Sequence, residues 1–412
     1  MNGKNLLGIN GLGRIGKLTL WNHLALDHFD GYVINIGRKV GNSLSDLIDT
    51  IKSDSTYGDL DRFLYGVSGK KVEIKIEDKD QGLLMINGKP AKFLFQERNP
   101  LKIPWTKEKV SIVVDCTGVF LDPTEPADSP NGSLRGHLES GAIKVICSAP
   151  FKIKDKSQSL PNDSKMFVYG VNHLEYDPGQ HNILSAASCT TTGLAHMMMP
   201  LLENEPTSKI VTASMSTIHA STSTQSILDT VPKAGAKDLR KNRSIMNNII
   251  LTSTGAAKAL EQILPQIKDI GFMADSVRIP TNTVSMISLN ITFHEQIDEK
   301  GEPVINKELL NKIYKEASEG KQKGMLIFSE RQNVSSDWIG IRAAAAIEGN
   351  DNHTRTGFLH LSKETLKALG LDISDNISLP VTHAKIFGWY DNEFGSYVNM
   401  LGKLTIHVDA NI

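Results

Sequence analysis

The apolar and polar positions of the chain fall into two textures. In the first part, short apolar runs alternate with segments of helical spacing. Leu6-Leu7-Gly8-Ile9-Asn10 predicts a strand, and Lys17 to Leu26 predicts a helix after it. Tyr32 to Ile36 predicts a second strand. Ser43 is placed to cap a helix whose apolar face is Leu44, Leu47, Ile48 and Ile51. Val72 to Ile76 alternates as a strand does, and Leu83 to Ile86 joins Lys89 to Phe95 through Asn87-Gly88, the strongest short hairpin signal. Val110 to Cys116 and Ala142 to Cys147 are unbroken apolar runs, as parallel strands covered on both faces should be. Asn182-Ile183-Leu184 predicts a further strand, and Leu194 to Met199 predicts a helix.

Beyond that point the period changes. Ile210 to Ile218 alternates with period two, which predicts a half-buried antiparallel strand. A polar, basic segment spans Asp229 to Asn248. Strands are predicted at Ser276 to Pro280 and Val284 to Phe293, and a helix face at Leu309, Ile313, Tyr314 and Ala317. Glu348 to Thr356 reads as a polar loop, and Ser362 as the cap of a short helix ended by Gly370. The pattern predicts an α/β chain: a Rossmann-type doubly wound parallel sheet, then an α+β domain with a mostly antiparallel sheet. The expected division is 1–187 for the first domain, completed by a C-terminal helix at about 391–412, and 188–390 for the second.

Composition narrows the function. With 412 residues, 22% charged and 40% hydrophobic, the chain can build more than one core. A net charge of -1 gives no electrostatic case for nucleic acid or an anionic membrane as partner. No apolar run reaches the length of a membrane span, and Met1-Asn2-Gly3-Lys4-Asn5 lacks the apolar core of a secretory signal, so a cytoplasmic protein is expected. The cysteines Cys116, Cys147 and Cys189 are few, odd in number and not spaced for a metal, so no metal site is expected.

Candidate chemistry begins at Asn10-Gly11-Leu12-Gly13-Arg14-Ile15-Gly16, a glycine-rich loop between a strand and a helix. Gly11 suits the tight turn, Gly13 a close approach to a pyrophosphate, and Gly16 tight helix–strand packing, with the helix N-terminus facing the phosphates. The acidic residue that usually holds the ribose 2′-hydroxyl is absent about 20 residues on. Gly37-Arg38-Lys39 stand there instead, and the next acid is Asp46. Arg38 and Lys39 can receive a 2′-phosphate, or they are solvated loop charges. Thr117 and Ser148 lie just past two buried strands, where open α/β sheets bind ligands.

A second locus is Ser185-Ala186-Ala187-Ser188-Cys189-Thr190-Thr191-Thr192-Gly193. Its polar residues are good helix caps, so Cys189 stands where a helix begins, and the positive end of a helix favours a reactive thiolate. A lone cysteine is also commonly a buried, inert thiol. His219 ends the alternating strand thirty residues later, and a Cys–His couple is a standard way to activate a thiol.

Taken in order, these segments resemble phosphorylating glyceraldehyde-3-phosphate dehydrogenases over nearly the whole chain. Further matches are Asp54-Ser55-Thr56-Tyr57-Gly58, Ser148-Ala149-Pro150, Thr217-Ile218-His219-Ala220, Ser253-Thr254-Gly255-Ala256-Ala257-Lys258-Ala259, Val277-Arg278-Ile279-Pro280 and Trp389-Tyr390-Asp391-Asn392-Glu393. The resemblance implies Cys189 as nucleophile and His219 as base. It implies Arg14, Ile15, Arg98 and Ser148 in the cofactor site, with Asn392 on the nicotinamide carboxamide. Thr222 and Arg278 would hold the substrate phosphate; Ser188, Thr190, Thr254 and Gly255 would hold inorganic phosphate, with Lys241 standing for an arginine of that site. It further implies a homotetramer in which Thr224 to Arg243 crosses to a neighbour. The implied reaction takes glyceraldehyde 3-phosphate, NAD(P) and inorganic phosphate to 1,3-bisphosphoglycerate, and Arg38 and Lys39 lean the cofactor toward NADP. Departures are Ala186 and Thr192 for asparagines, Gly193 for a second cysteine, and added length around 122–135 and 340–379. They leave open another phosphorylated aldehyde, such as erythrose 4-phosphate, or a cofactor-bound regulatory protein with little catalysis.

Overall fold

A computed structural model describes residues 5–412. Met1 to Lys4, on which the expectation about a secretory signal partly rests, lie outside the described residues. The chain forms two compact units, Met1–Thr192 with Glu393–Ile412, and Gly193–Asn392.

In the first unit the apolar runs become strands β1 (Leu6–Asn10), β2 (Gly31–Asn35), β3 (Ile74–Asp78), β4 (Leu83–Ile86), β5 (Lys89–Leu94), β6 (Ile112–Asp115), β7 (Lys144–Cys147), β8 (Ser164–Met166) and β9 (Ile183–Ser185). Among the described residues they make one sheet in the order β8-β9-β7-β6-β1-β2-β5-β4-β3. All neighbours are parallel except the β3–β4 and β4–β5 pairs. The β4–β5 turn is Asn87-Gly88, both with positive φ (50° and 80°), as the mirror-image turns that match strand twist require. Period two sorts side chains to two faces. Leu7, Ile9, Ile34, Val114 and Ile146 join one core cluster with residues of helix α1 (Arg14–Leu26) and the C-terminal helix Met400–Asp409. Leu6, Val33, Val113 and Val145 join another around Trp105 and Leu134. Burial on both faces explains why these strands lack alternation. Helix α2 (Leu44–Lys52) has the expected Ser43 cap. Helix α1 starts three residues earlier than its apolar pattern, directly after Gly13. The C-terminal segment turns helical at Phe394, with a π-type stretch to Asn399. The added 122–135 segment is pinned: Asp122 accepts from Thr124 and from the Lys154 N–H, and Arg135 forms a bidentate pair with Asp163.

Helix α3 (Cys189–Glu203) carries the chain from the first unit into the second. The second unit contains β10 (Ile210–Ala220), β11 (Ile250–Ser253), helix α4 (Ala256–Ile263), β12 (Phe272–Ile279), β13 (Ser285–His294), helix α5 (Lys307–Glu319), β14 (Leu326–Ser329), β15 (Ala345–Glu348), β16 (His353–Leu361), helix α6 (Lys363–Ala368) and β17 (Ile377–Tyr390). The sheet order is β11-β12-β10-β13-β17-β15-β14, with β16 on the long β17. Two expectations are corrected. The alternating strand β10 is antiparallel only to β13 and runs parallel to β12 on its other side. The polar loop expected over Glu348 to Thr356 shrinks, because residues from His353 pair with β17 and threonines at 354 and 356 suit a strand despite their polarity. Ser362 caps α6 as expected, accepting from the Thr365 N–H.

Candidate active site

The glycine loop of the first unit has backbone geometry compatible with the tasks read from its spacing. Gly11 has φ +95°, where a side chain is strained. A Cβ on Gly16 would lie 1.9 Å from the Gly11 carbonyl oxygen, so helix and loop touch only because Gly16 is bare. A Cβ on Gly13 would meet nothing within 4 Å. No side chain caps the N-terminus of α1 and no acid lies in its first turn. That set of open backbone, uncapped helix end and bare glycines fits a dinucleotide's pyrophosphate.

Beneath the loop lies a buried polar floor. Asn10 donates to Asp115 (Nδ2 to Oδ2, 2.7 Å) and accepts from Asn35 (2.8 Å). Asp115 also accepts from the Thr117 backbone N–H and hydroxyl (3.1 and 2.6 Å). The Trp105 indole N–H donates to His137 Nδ1 (2.9 Å), which places the ring proton on Nε2, and Nε2 donates to Asp115 Oδ2 (3.1 Å). Asn10, expected against the cofactor, thus has its amide committed to the floor. Trp105, His137 and Asp115 escaped sequence reasoning, since a lone buried histidine has no spacing signature.

Arg14 forms a fork on Glu393 and also grips Asp54, while Lys17 reaches Asp54 at 2.8 Å. Burial pulls the guanidinium's pKa down, but the two carboxylates win and hold it above its usual range. Burial raises the Asp54 carboxyl, and Lys17, the Thr56 and Tyr57 N–H groups and Arg14 together bring it below the usual range. Asp54 and Glu393 belong to motifs singled out in the sequence, although their partner was not foreseen. Ile15, next along α1, packs against the core. Past β2, Arg38 and Lys39 are exposed, and Arg98 Nε donates to the Gly37 carbonyl at 3.1 Å. Asp46 accepts from the Asn42 and Ser43 N–H groups in the cap of α2, so its carboxylate is committed there.

The Cys189 turn is tightly held within the first unit. Ala187 is left-handed (φ +58°), a strained setting for a residue with a Cβ. The Tyr397 hydroxyl donates to the Ala187 carbonyl (3.3 Å) and the Ser396 hydroxyl to the Cys189 carbonyl (2.6 Å). Ser188 Oγ accepts from the Thr191 N–H at 3.1 Å, capping α3, so Cys189 is the first residue of that helix. Thr190 is buried beside it. The other two thiols are inert by environment. Burial pushes Cys116 up to about 12, and Cys147 is also pushed well above the usual thiol range. Ser148 follows β7 directly and is half-buried.

In the second unit the β10–β12 register sets His219 opposite Arg278. His219 shares the buried face of β10 with Met215 and Thr217. Its ring lies edge-on to Tyr390, whose hydroxyl bonds to Thr217 at 2.6 Å. Arg278 Nη1 is 2.6 Å from His219 Nδ1 and 3.0 Å from the Ala220 carbonyl, which is also 2.8 Å from Nδ1. Burial, then the Arg278 charge, hold the imidazole down to about 3 against the Ala220 carbonyl's opposite pull, so it is neutral at pH 7. Thr222 follows two residues on and bonds to Gln225 and Thr224. Asn392 is buried, and its Oδ1 accepts from Ser285 (3.0 Å), a partner that no motif announced. Thr254 Oγ1 accepts from the Ala256 N–H at the start of α4, where Gly255 is the cap residue. Lys241 is exposed in a short 3-10 turn. Cys189 and His219 belong to different units.

Residues 6–123 match the NAD binding domain of glyceraldehyde 3-phosphate dehydrogenase, and residues 188–392 match its C-terminal domain. The chain is 35% identical to glyceraldehyde-3-phosphate dehydrogenase 2 of Streptomyces avermitilis, over 98% of each chain. It is 33% identical to glyceraldehyde-3-phosphate dehydrogenase 1 of Bacillus subtilis, covering 98% of this chain and 97% of that protein. To the cytosolic enzyme of that name from Chlamydomonas reinhardtii it is 32% identical, over 99% and 98%.

Proposed function

Because this chain belongs to the glyceraldehyde 3-phosphate dehydrogenase family and is an NAD(P)-dependent oxidoreductase, we propose that it oxidises D-glyceraldehyde 3-phosphate with inorganic phosphate to 1,3-bisphosphoglycerate. The observation that carries this reading is the position of Cys189: first residue of α3, capped by Ser188, on a turn braced by Ser396 and Tyr397. The positive end of the helix there favours a thiolate at Cys189 over Cys116 and Cys147, whose thiols are raised by desolvation.

The Cys189 sulfur adds to the aldehyde carbon and gives a thiohemiacetal. His219 takes the hydroxyl proton as the carbonyl re-forms. When bound, the nicotinamide ring supplies the acceptor for the substrate's hydride. Asn392, its Oδ1 already held by Ser285, presents Nδ2 to the carboxamide. The resulting thioester on Cys189 is attacked by an oxygen of inorganic phosphate, and the thiolate leaves as the acyl phosphate forms. Thr222 and Arg278 grip the substrate phosphate. Ser188, Thr190, Thr254 and Gly255 receive the attacking one, with Lys241 as a point charge.

NADP suits the ribose end: Arg38 and Lys39 are exposed, Arg98 braces the Gly37 turn, and Asp46 is committed to a helix cap. The membrane plays no part in this reading; among the described residues no helix is long and apolar enough to cross one. Self-association into a homotetramer is supported by large apolar side chains left exposed on 224–251 and β12, among them Val231 (90%), Leu228 (75%), Ile249 (75%) and Met273 (71%).

Steady-state rates with NAD and NADP, with and without phosphate, test the proposal. Phosphate-dependent turnover is expected with wild type and none with C189S, and the higher kcat/KM is expected with NADP. Turnover independent of phosphate, or faster on erythrose 4-phosphate, would reject the assigned reaction. A strong preference for NAD would reject the cofactor assignment alone.

A further inference from the structure

Two partners compete for one ring nitrogen in the second unit. Arg278 Nη1 stands 2.6 Å from His219 Nδ1, and Nδ1 stands 2.8 Å from the Ala220 carbonyl. A guanidinium only donates. With Arg278 docked, Nδ1 must accept, and the neutral ring carries its proton on Nε2. The Nδ1–H bond to Ala220 requires the other tautomer, with Nε2 unprotonated. The two bonds exclude each other. While docked, Arg278 also donates to the Ala220 carbonyl (3.0 Å), so it occupies both ends of the bond that it prevents. The arrangement is built into the backbone, since His219 and Arg278 are direct neighbours in the β10–β12 register.

We propose that Arg278 is a substrate-responsive positioning residue for His219, holding the imidazole in the Nε2–H form until a substrate phosphate draws the guanidinium away. This rests on the reading above, in which Arg278 binds that phosphate and His219 is the base. A phosphate dianion outcompetes a neutral imidazole for a guanidinium, because charge-assisted, bidentate bonds are the stronger ones. Once Arg278 swings to it, one proton leaves Nε2 for solvent and another arrives on Nδ1, so the ring's charge is unchanged. The Nδ1–H then donates to Ala220, and Nε2 becomes a proton acceptor. The base is thereby armed by the phosphate end of the substrate, and aldehydes without a phosphate meet a histidine in the wrong tautomer.

The substrate divided into two pieces tests this. Single-turnover hydride transfer is followed with the cofactor-loaded enzyme and unphosphorylated D-glyceraldehyde, with and without phosphite dianion. Wild type is expected to be slow and to accelerate with phosphite. R278Q is expected to be about tenfold faster than wild type without phosphite, because a released general base is worth at least that much, and to be indifferent to phosphite. A residue that only binds phosphate predicts no gain in R278Q, and a rate equal to or below wild type overturns the proposal. A second readout needs no Arg278 variant: 15N spectra of histidine-labelled enzyme, with the His219 signal assigned by its loss in H219N. His219 Nδ1 is expected to be unprotonated without phosphite and protonated with it; protonation in both states overturns the proposal. Failure of the underlying reading looks different, as absence of hydride transfer from glyceraldehyde 3-phosphate in wild type.

Discussion

His137 and His219 are both buried and both neutral by their bonding, yet they sit in opposite kinds of surroundings. In the floor of the glycine loop, Trp105 donates to one nitrogen of His137 at 2.9 Å and Asp115 accepts from the other at 3.1 Å, and these two short bonds demand the same tautomer, against only a longer 3.5 Å contact from the Asn10 amide. On the β10–β12 ledge, Arg278 and the Ala220 carbonyl demand different tautomers of His219. A histidine whose neighbours agree is a strut. One whose neighbours disagree is ready to move a proton, because either form is already half-satisfied.

The contrast is broken most sharply at His219. H219N is expected to slow hydride transfer by about 10²- to 10⁴-fold with little change in melting temperature, as loss of a general base does. An equal loss in H137F would erase the distinction. Next in size is the loop above the floor. G16A forces a Cβ to within 1.9 Å of the Gly11 carbonyl and is expected to cost about 3 kcal/mol of stability, typical of overpacking at backbone. G13A meets nothing within 4 Å, so its melting temperature should hold while cofactor affinity falls. Thermal melts and cofactor titrations of the two variants check this.

H137F should cost about 3 kcal/mol, since it strands the buried Trp105 N–H and takes from Asp115 Oδ2 one of its two donors, leaving Asn10. The loss belongs in denaturant midpoint and cofactor KM, not in the hydride step of the saturated enzyme. The smallest effect concerns acid. His23 is wholly buried, neither ring nitrogen has a hydrogen-bond partner among the described residues, and burial followed by the His28 charge lowers its pKa to about 3, as burial lowers that of His219. The unfolded chain takes up these protons near pH 6.5 and the folded one only near 3, so stability declines as pH falls through that window. H23L should soften the decline and add about 1 kcal/mol at pH 7; melts from pH 8 to 4 would show it.

What could be read in advance follows from where the physics is local. The glycine loop, the Asn87-Gly88 turn, the Ser43 and Ser362 caps and the cap before Cys189 are each set by a few adjacent residues, and all stand as read. The partners of Arg14 could not be read, because Asp54 and Glu393 lie 40 and 379 residues away. The parallel edge of β10 was missed because alternation reports one face and says nothing of direction. The strand at 353–361 was missed because its pairing with β17 outweighs its polarity.

The chemical silence of Cys116 and Cys147 has a practical corollary. Both thiols are held above the usual range by desolvation and stay protonated at neutral pH, so an electrophile that needs a thiolate should favour Cys189. Under the proposed mechanism, counting the label taken up by a preparation would then count its competent active sites, with little contribution from the other two thiols.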